Sequence, residues 1–224
     1  MTAPIDAVLF DLHATLIDQG SPERWIESAA ARLGMADFSL SPDDLAALRE
    51  RLDRIWEHAR TVDPQDRRDL DPAVHREVFT SAMADLPGLG PDRVEALYAT
   101  LFDPWTAYDD TAPVLNALRE HGKAIVLVSN VGLDVRPMLG RLGLEKAFDG
   151  IVLSYEIGAV KPEPEIFRHA LACAGVPAER ALMVGDSPTA DAGAAGFGIR
   201  TLILPRTRGR VHGLDAVLRI VLDG

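Results

Sequence analysis

Four short apolar runs, residues 7–10, 124–128, 181–184 and 199–204, are each too brief for a helix that buries a face, and each ends in polar residues or in glycine or proline. Residues 150–153 form a weaker fifth run. Runs of this kind are strands buried on both faces, as in a parallel sheet. Helical patterns separate most of them. Thr111 and Pro113 open a helix carrying Val114, Leu115 and Leu118 that Gly122 closes, and residues 163–174 and 189–195 supply two further crossovers. The alternation predicts an α/β fold, a doubly wound parallel sheet with helices on both faces.

Between the first and second runs, residues 20–105 carry helix signals and no strand pattern, which predicts an all-helical insert in a core made of residues 1–19 and 106–224. Ser21-Pro22-Glu23 and Ser41-Pro42-Asp43-Asp44 each join a capping side chain to a first-turn proline and an acid. Leu45, Leu48, Leu52, Ile55, Trp56 and Ala59 predict one amphipathic helix of about four or five turns. Val74, Val78, Phe79, Ala82 and Met83 repeat the pattern, and a fourth helix starts near Pro91 with Val94, Leu97, Tyr98, Leu101 and Phe102. The charged stretch 63–69 reads as a solvated loop, and Trp25, Trp56 and Trp105 as packing residues.

A net charge of −11 repels a phosphate backbone and argues against nucleic acid as a partner. No apolar run approaches the ~20 residues needed to span a bilayer. The start of the chain has Asp6 in its middle and no basic segment, so the expected location is the cytoplasm. The single cysteine, Cys173, falls in an alanine-rich helical pattern where a buried thiol is expected, and it suits a reducing compartment.

Ligands of open α/β sheets lie beyond the carboxyl ends of the strands. The polar residues there are Asp11-Leu12-His13-Ala14-Thr15, Ser129-Asn130, Lys161-Pro162 and Gly185-Asp186-Ser187, with Asp191 five residues beyond Asp186. Each alone has a dull explanation as a turn or cap; gathered at one sheet edge, they point to a site. The histidines at 58, 75, 121, 169 and 212 show no zinc-ligand spacing and read as surface or packing residues. Arg206, Arg208 and Arg210 follow the last strand on its functional side and read as a solvated basic loop, with contact to an anionic substrate the less favoured alternative.

In order and spacing, Phe10-Asp11-Leu12-His13-Ala14-Thr15-Leu16, Ser129-Asn130, Lys161-Pro162 and Gly185-Asp186-Ser187 with Asp191 resemble the motifs of the haloacid-dehalogenase-like (HAD) superfamily across essentially the whole chain. The resemblance implies a Rossmann-like core with the helical insert as a cap domain. It also implies a hydrolase acting on a small phosphorylated metabolite. Asp11 is then the nucleophile, forming a phosphoaspartyl intermediate. Mg2+ is held by Asp11, the His13 carbonyl and Asp186, with Asp191 on the metal or its water shell, while Ser129 and Lys161 bind phosphoryl oxygens and the neighbouring Asn130 orients substrate.

Phosphatases of the superfamily ordinarily carry an aspartate where this chain has His13, as the acid that protonates the leaving group and then activates water. A histidine titrates at about 6.5 and exchanges protons near neutrality, so His13 is the candidate replacement. Two alternatives stay open: a catalytically weakened binding or regulatory protein, and a dehalogenase, whose relatives carry no acid there. Asp186 favours phosphoryl hydrolysis, since dehalogenases lack that aspartate and it makes sense mainly beside a cation. Ala14 stands where glycine is usual, which narrows the backbone angles open to that turn.

Overall fold

The first strand, β1 (Ala7–Phe10), is fully buried along its length. Four consecutive apolar residues allow it to lie in the middle of a sheet, and each large side chain so buried contributes about 1.5–3 kcal/mol. The computed structural model describes residues 3–207 and 209–222 and divides the chain into two units, Met1–Asp18 with Thr106–Gly224, and Gln19–Trp105.

After β1 the chain turns through residues 12–16 into β2 (Ile17–Asp18), crosses the helical unit and returns in β3 (Thr106–Ala107). The two form an antiparallel ribbon that pairs Ile17 with Ala107 and Asp18 with Thr106.

The helical unit holds α1 (Pro22–Arg32), α2 (Pro42–Asp53), α3 (Ile55–Val62), α4 (Pro72–Met83) and α5 (Pro91–Ala99). Ser21, Ser41 and Asp71 cap α1, α2 and α4 with side-chain bonds to first-turn N–H groups, and proline follows each. The single long helix expected from Leu45 to Ala59 is two helices. Arg54, at φ −118° and ψ 24°, breaks it with neither glycine nor proline, and its guanidinium pairs with Glu57 at 2.7 Å. Leu48, Leu52, Ile55 and Ala59 still share one buried face, so the break leaves the apolar stripe intact.

The charged stretch 63–69 is not a solvated loop. Asp63 and Arg68 are buried, Asp63 accepts from the Arg68 N–H at 2.8 Å, and the Arg68 guanidinium reaches Asp66 at 2.6 Å. Charges survive burial when they are paired, and here the pairing is within one turn. Close by in sequence, His75 is buried between the rings of Trp56 and Tyr98, with Nδ1 3.1 Å from the Tyr98 hydroxyl.

The core continues with α6 (Thr111–Glu120), β4 (Ala124–Ser129), α7 (Arg136–Arg141), β5 (Gly150–Leu153), α8 (Ser154–Ile157), α9 (Pro164–Ala174), β6 (Ala181–Gly185), β7 (Arg200–Ile203) and α10 (Asp215–Leu222). The sheet runs β5-β4-β1-β6-β7, all pairs parallel. One face, with Leu9, Val126, Val128, Val152 and Met183, packs on Ile166, Phe167 and Ala170 of α9. Alternation sends Ile125 and Leu127 to the other face, where α6 lies on β4 and α10 on α6.

Two expectations fail in this unit. The crossover expected at 189–195 is a 3-10 segment, Ala192–Phe197, in a stretch with two glycines that disfavour a longer helix. Cys173 is exposed rather than buried, because α9 sets it over Gly150 at the start of the edge strand β5. No described helix is long and apolar enough to cross a membrane.

Candidate active site

The parallel sheet delivers the carboxyl ends of β1, β4 and β6 to one edge, and the sequence places an acid or hydroxyl directly after or at each. Asp11 follows β1, with its N–H donating to the Val184 carbonyl of β6 at 2.9 Å. Ser129, buried, is the last residue of β4. Asp186 follows β6, and Asp191 begins the 3-10 segment beyond it.

Asp11, Asp186 and Asp191 converge, with one carboxylate oxygen from each lying within 4.8 Å of the others. Three hard oxygen donors at this spacing fit a small divalent cation such as Mg2+.

Lys161 ties two of these acids together. Its Nζ donates to Asp11 Oδ1 at 2.6 Å, to Asp191 Oδ1 at 2.7 Å and to the Val128 carbonyl at 2.9 Å, which accounts for all three ammonium donors. Burial by itself lowers a lysine pKa; here the two carboxylates outweigh it and hold the ammonium above its ordinary value. Burial pushes the Asp191 carboxyl up, with Lys161 opposing and the Asp11 charge adding. Asp191 Oδ2 accepts in turn from the Ser187 N–H at 2.9 Å.

Asn130 does not face outward with a free amide. Its Nδ2 donates to the Lys161 carbonyl at 3.0 Å and its Oδ1 accepts from the Lys161 N–H at 2.7 Å, so both ends of the carboxamide grip the lysine backbone. The cis peptide Lys161–Pro162 follows, and Gly193 leaves room for the proline ring, which a β-carbon there would overlap.

The loop after Asp11 is tight. Leu16 and Ile17 both donate to the Leu12 carbonyl, and Ala14 donates to the Ile17 carbonyl at 2.8 Å. His13 is partly buried and bridges to Ile17. Ala14 takes φ 60°, the left-handed region, so the expected narrowing is realised as a residue held where glycine fits more easily.

Four contacts escape sequence reasoning. The Thr15 hydroxyl donates to Asp11 Oδ2 at 3.1 Å, completing the partners of the two Asp11 oxygens with Lys161. Buried His212 places Nε2 2.6 Å from the Ala14 carbonyl, which requires the Nε2–H tautomer, and its Nδ1 is buried with no bonding partner. Arg206 is not simply solvated, since its Nε lies 2.5 Å from Asp186 Oδ2, and Arg210 pairs with Asp109 at 3.0 Å. Arg208 lies outside the described residues. A basic residue just past the last strand is the only sequence signal for the Arg206 contact.

Comparison with known proteins places these features in a family. The model of the haloacid dehalogenase-like hydrolases matches residues 5–196. A phosphoserine phosphatase of Thermus thermophilus is 34% identical over 134 residues, 58% of this chain and 53% of that one. The chain spans about half the length of the curated relatives it matches. Among solved structures, a HAD phosphatase from Thermococcus onnurineus has a TM-score of 0.66 at 25% identity, covering 97% of this chain and 98% of its own. A 2-haloacid dehalogenase from Pseudomonas syringae reaches 0.60 at 26% identity, covering 89% and 86%. The chain belongs to the haloacid dehalogenase-like hydrolase family.

Proposed function

We propose that the chain hydrolyses small phosphomonoesters with Mg2+, through a phosphoaspartyl intermediate on Asp11. The observation that carries this reading is the group Asp11, Asp186 and Asp191 gathered within 4.8 Å beside a buried lysine. Phosphatases among the relatives support the same reaction class.

Asp11, Asp186, Asp191 and the His13 carbonyl would hold the ion, which supplies positive charge that offsets repulsion between the nucleophile and a phosphate dianion. The chain's own groups do the rest. An Asp11 oxygen attacks phosphorus as the bond to the leaving oxygen breaks, and His13 donates its proton to that oxygen. His13, now neutral, takes a proton from water as the water oxygen attacks phosphorus and Asp11 departs as carboxylate. Thr15 and Lys161 keep the Asp11 carboxylate oriented throughout. Ser129 binds a phosphoryl oxygen, and Lys161, its donors engaged by Asp11, Asp191 and the Val128 carbonyl, contributes its charge beside it; Asn130, by gripping the Lys161 backbone, acts as a positioning residue for that lysine. Residues 20–105 form the cap that selects the leaving group, and the expected setting is the cytoplasm, with no nucleic acid or membrane partner.

The test is turnover of p-nitrophenyl phosphate by the intact chain, with Mg2+ and with a chelator. The expected result is Mg2+-dependent hydrolysis that Asp11→Asn abolishes. Equal rates with and without the ion would remove the metal. Halide release from a short 2-haloacid, in place of phosphate release, would move the chain to dehalogenation.

A further inference from the structure

Arg206 belongs to none of the strand-closing motifs, yet its Nε reaches Asp186 Oδ2 at 2.5 Å. The backbone that carries it is held on both sides. Leu204 donates to the Gly185 carbonyl at 2.9 Å, one residue before Asp186, and the Thr207 carbonyl accepts from the Tyr108 hydroxyl at 3.3 Å. Burial pushes the Tyr108 phenol up to about 12, so that donor keeps its proton at neutral pH. The Arg206 side chain is by contrast 64% exposed, against 9% for Asp186. A fixed backbone therefore aims a long, solvent-exposed cation at one carboxylate of the acid group.

The charges around that group are paired with a division of labour. Among the described residues, Lys161, buried and triply bonded, pairs with Asp11 and Asp191, while Arg206 pairs with Asp186. Lys161 has no unused donor and no room to leave. Arg206 is exposed where Lys161 is buried, so leaving its carboxylate for water costs it far less desolvation.

We propose that Arg206 is an exchangeable counter-ion: it occupies Asp186 in the metal-free chain, releases that carboxylate to the divalent ion, and then binds an oxygen of the incoming phosphoryl group. This rests on the metal reading given under the proposed function. Its consequence is coupling. The ion binds the free protein more weakly than the three acids alone would bind it, and a phosphate dianion restores the difference by giving the displaced guanidinium a partner. Solvent screening of an exposed pair limits the effect to a few-fold.

The experiment is calorimetric titration of Mg2+ into the metal-free full chain, for wild type, Arg206→Gln, Arg206→Lys and Asp186→Asn, each with and without inorganic phosphate. Without phosphate, Arg206→Gln is expected to bind Mg2+ about two- to fivefold more tightly than wild type, and Arg206→Lys to stay close to wild type. With phosphate the gap closes. Equal affinities for wild type and Arg206→Gln, with Asp186→Asn losing the ion, would overturn the exchange and leave the metal reading standing. A gap that phosphate does not change overturns the capture of the phosphoryl oxygen. Undiminished binding by Asp186→Asn overturns the metal reading beneath both.

Discussion

Gly185 and Asp191 share one space: a β-carbon built on Gly185 would overlap the Asp191 carboxylate. The last residue of β6 is thus a glycine because an acid six positions later lies across it, bonded to Lys161 and to the Ser187 N–H. Gly185→Ala is expected to unseat Asp191, with overpacking that costs about 2 kcal/mol and lowers Tm by roughly 4–8 °C. Turnover of p-nitrophenyl phosphate should fall at least tenfold by the same change. A melting temperature and rate both equal to wild type would mean Asp191 does not sit there.

His13→Ala is expected to lower kcat by about 10²–10⁴, the loss that follows removal of a positioned acid and base. His13→Asp should recover most of it, with the pH optimum moved toward acid as a carboxyl replaces an imidazole. An alanine variant as fast as wild type would take the proton transfers away from His13.

Asn130→Ala leaves the Lys161 N–H and carbonyl without their side-chain partner. A stability loss of about 1–2 kcal/mol is expected from the unmet polar groups. Because the Lys161 ammonium is bonded to Asp11, the proposed nucleophile, kcat should drop as the ammonium shifts while Mg2+ affinity stays near wild type. A variant that loses stability alone would leave Asn130 a packing residue.

Two titrations in the helical unit oppose each other. Burial pushes the Asp69 carboxyl from 3.8 up to about 7, with Arg68 pulling the other way. The stability it adds is full below pH 3.8 and is lost as pH rises through about 7, since only the folded chain keeps that proton. Burial draws His75 from 6.5 down to about 4, and the Arg68 charge adds to the fall. Its contribution runs in reverse: full above pH 6.5, lost as pH falls through about 4. Wild type is expected to show a shallow profile across this window. Asp69→Asn removes one arm, so its urea midpoint, followed by tryptophan fluorescence, should drop on acidification from pH 6.5 to 4. A flat profile for the variant would count against a neutral, buried His75.

How much of this was legible depended on the kind of signal. β1 and β4 announce themselves because four or five consecutive apolar residues suit a central strand, and Asp11 and Ser129 were found simply as what comes next or last. The same logic reaches Asp186, which follows β6, whereas Asp191 lies five residues farther on and Lys161 lies past α8. It failed where a side chain's partner is set by tertiary placement. Nothing local says that Arg206 meets Asp186 or that His212 meets the Ala14 carbonyl across the fold. Charge misled at Asp63 and Arg68, where polarity suggested solvent and short-range pairing permits burial. The stop at Arg54 left no trace because periodicity continues across it.

Asp18 and Thr106 are direct partners across the antiparallel ribbon, and the helical unit begins and ends beside them. Seen from the sheet, everything between is the loop of a hairpin whose stem is already closed. The entropy of closing such a loop grows only as the logarithm of its length, so the core is nearly indifferent to what is spliced there. A short turn joining residues 18 and 106 should leave a foldable core with Asp11, Asp186 and Asp191 still gathered at the ends of its strands.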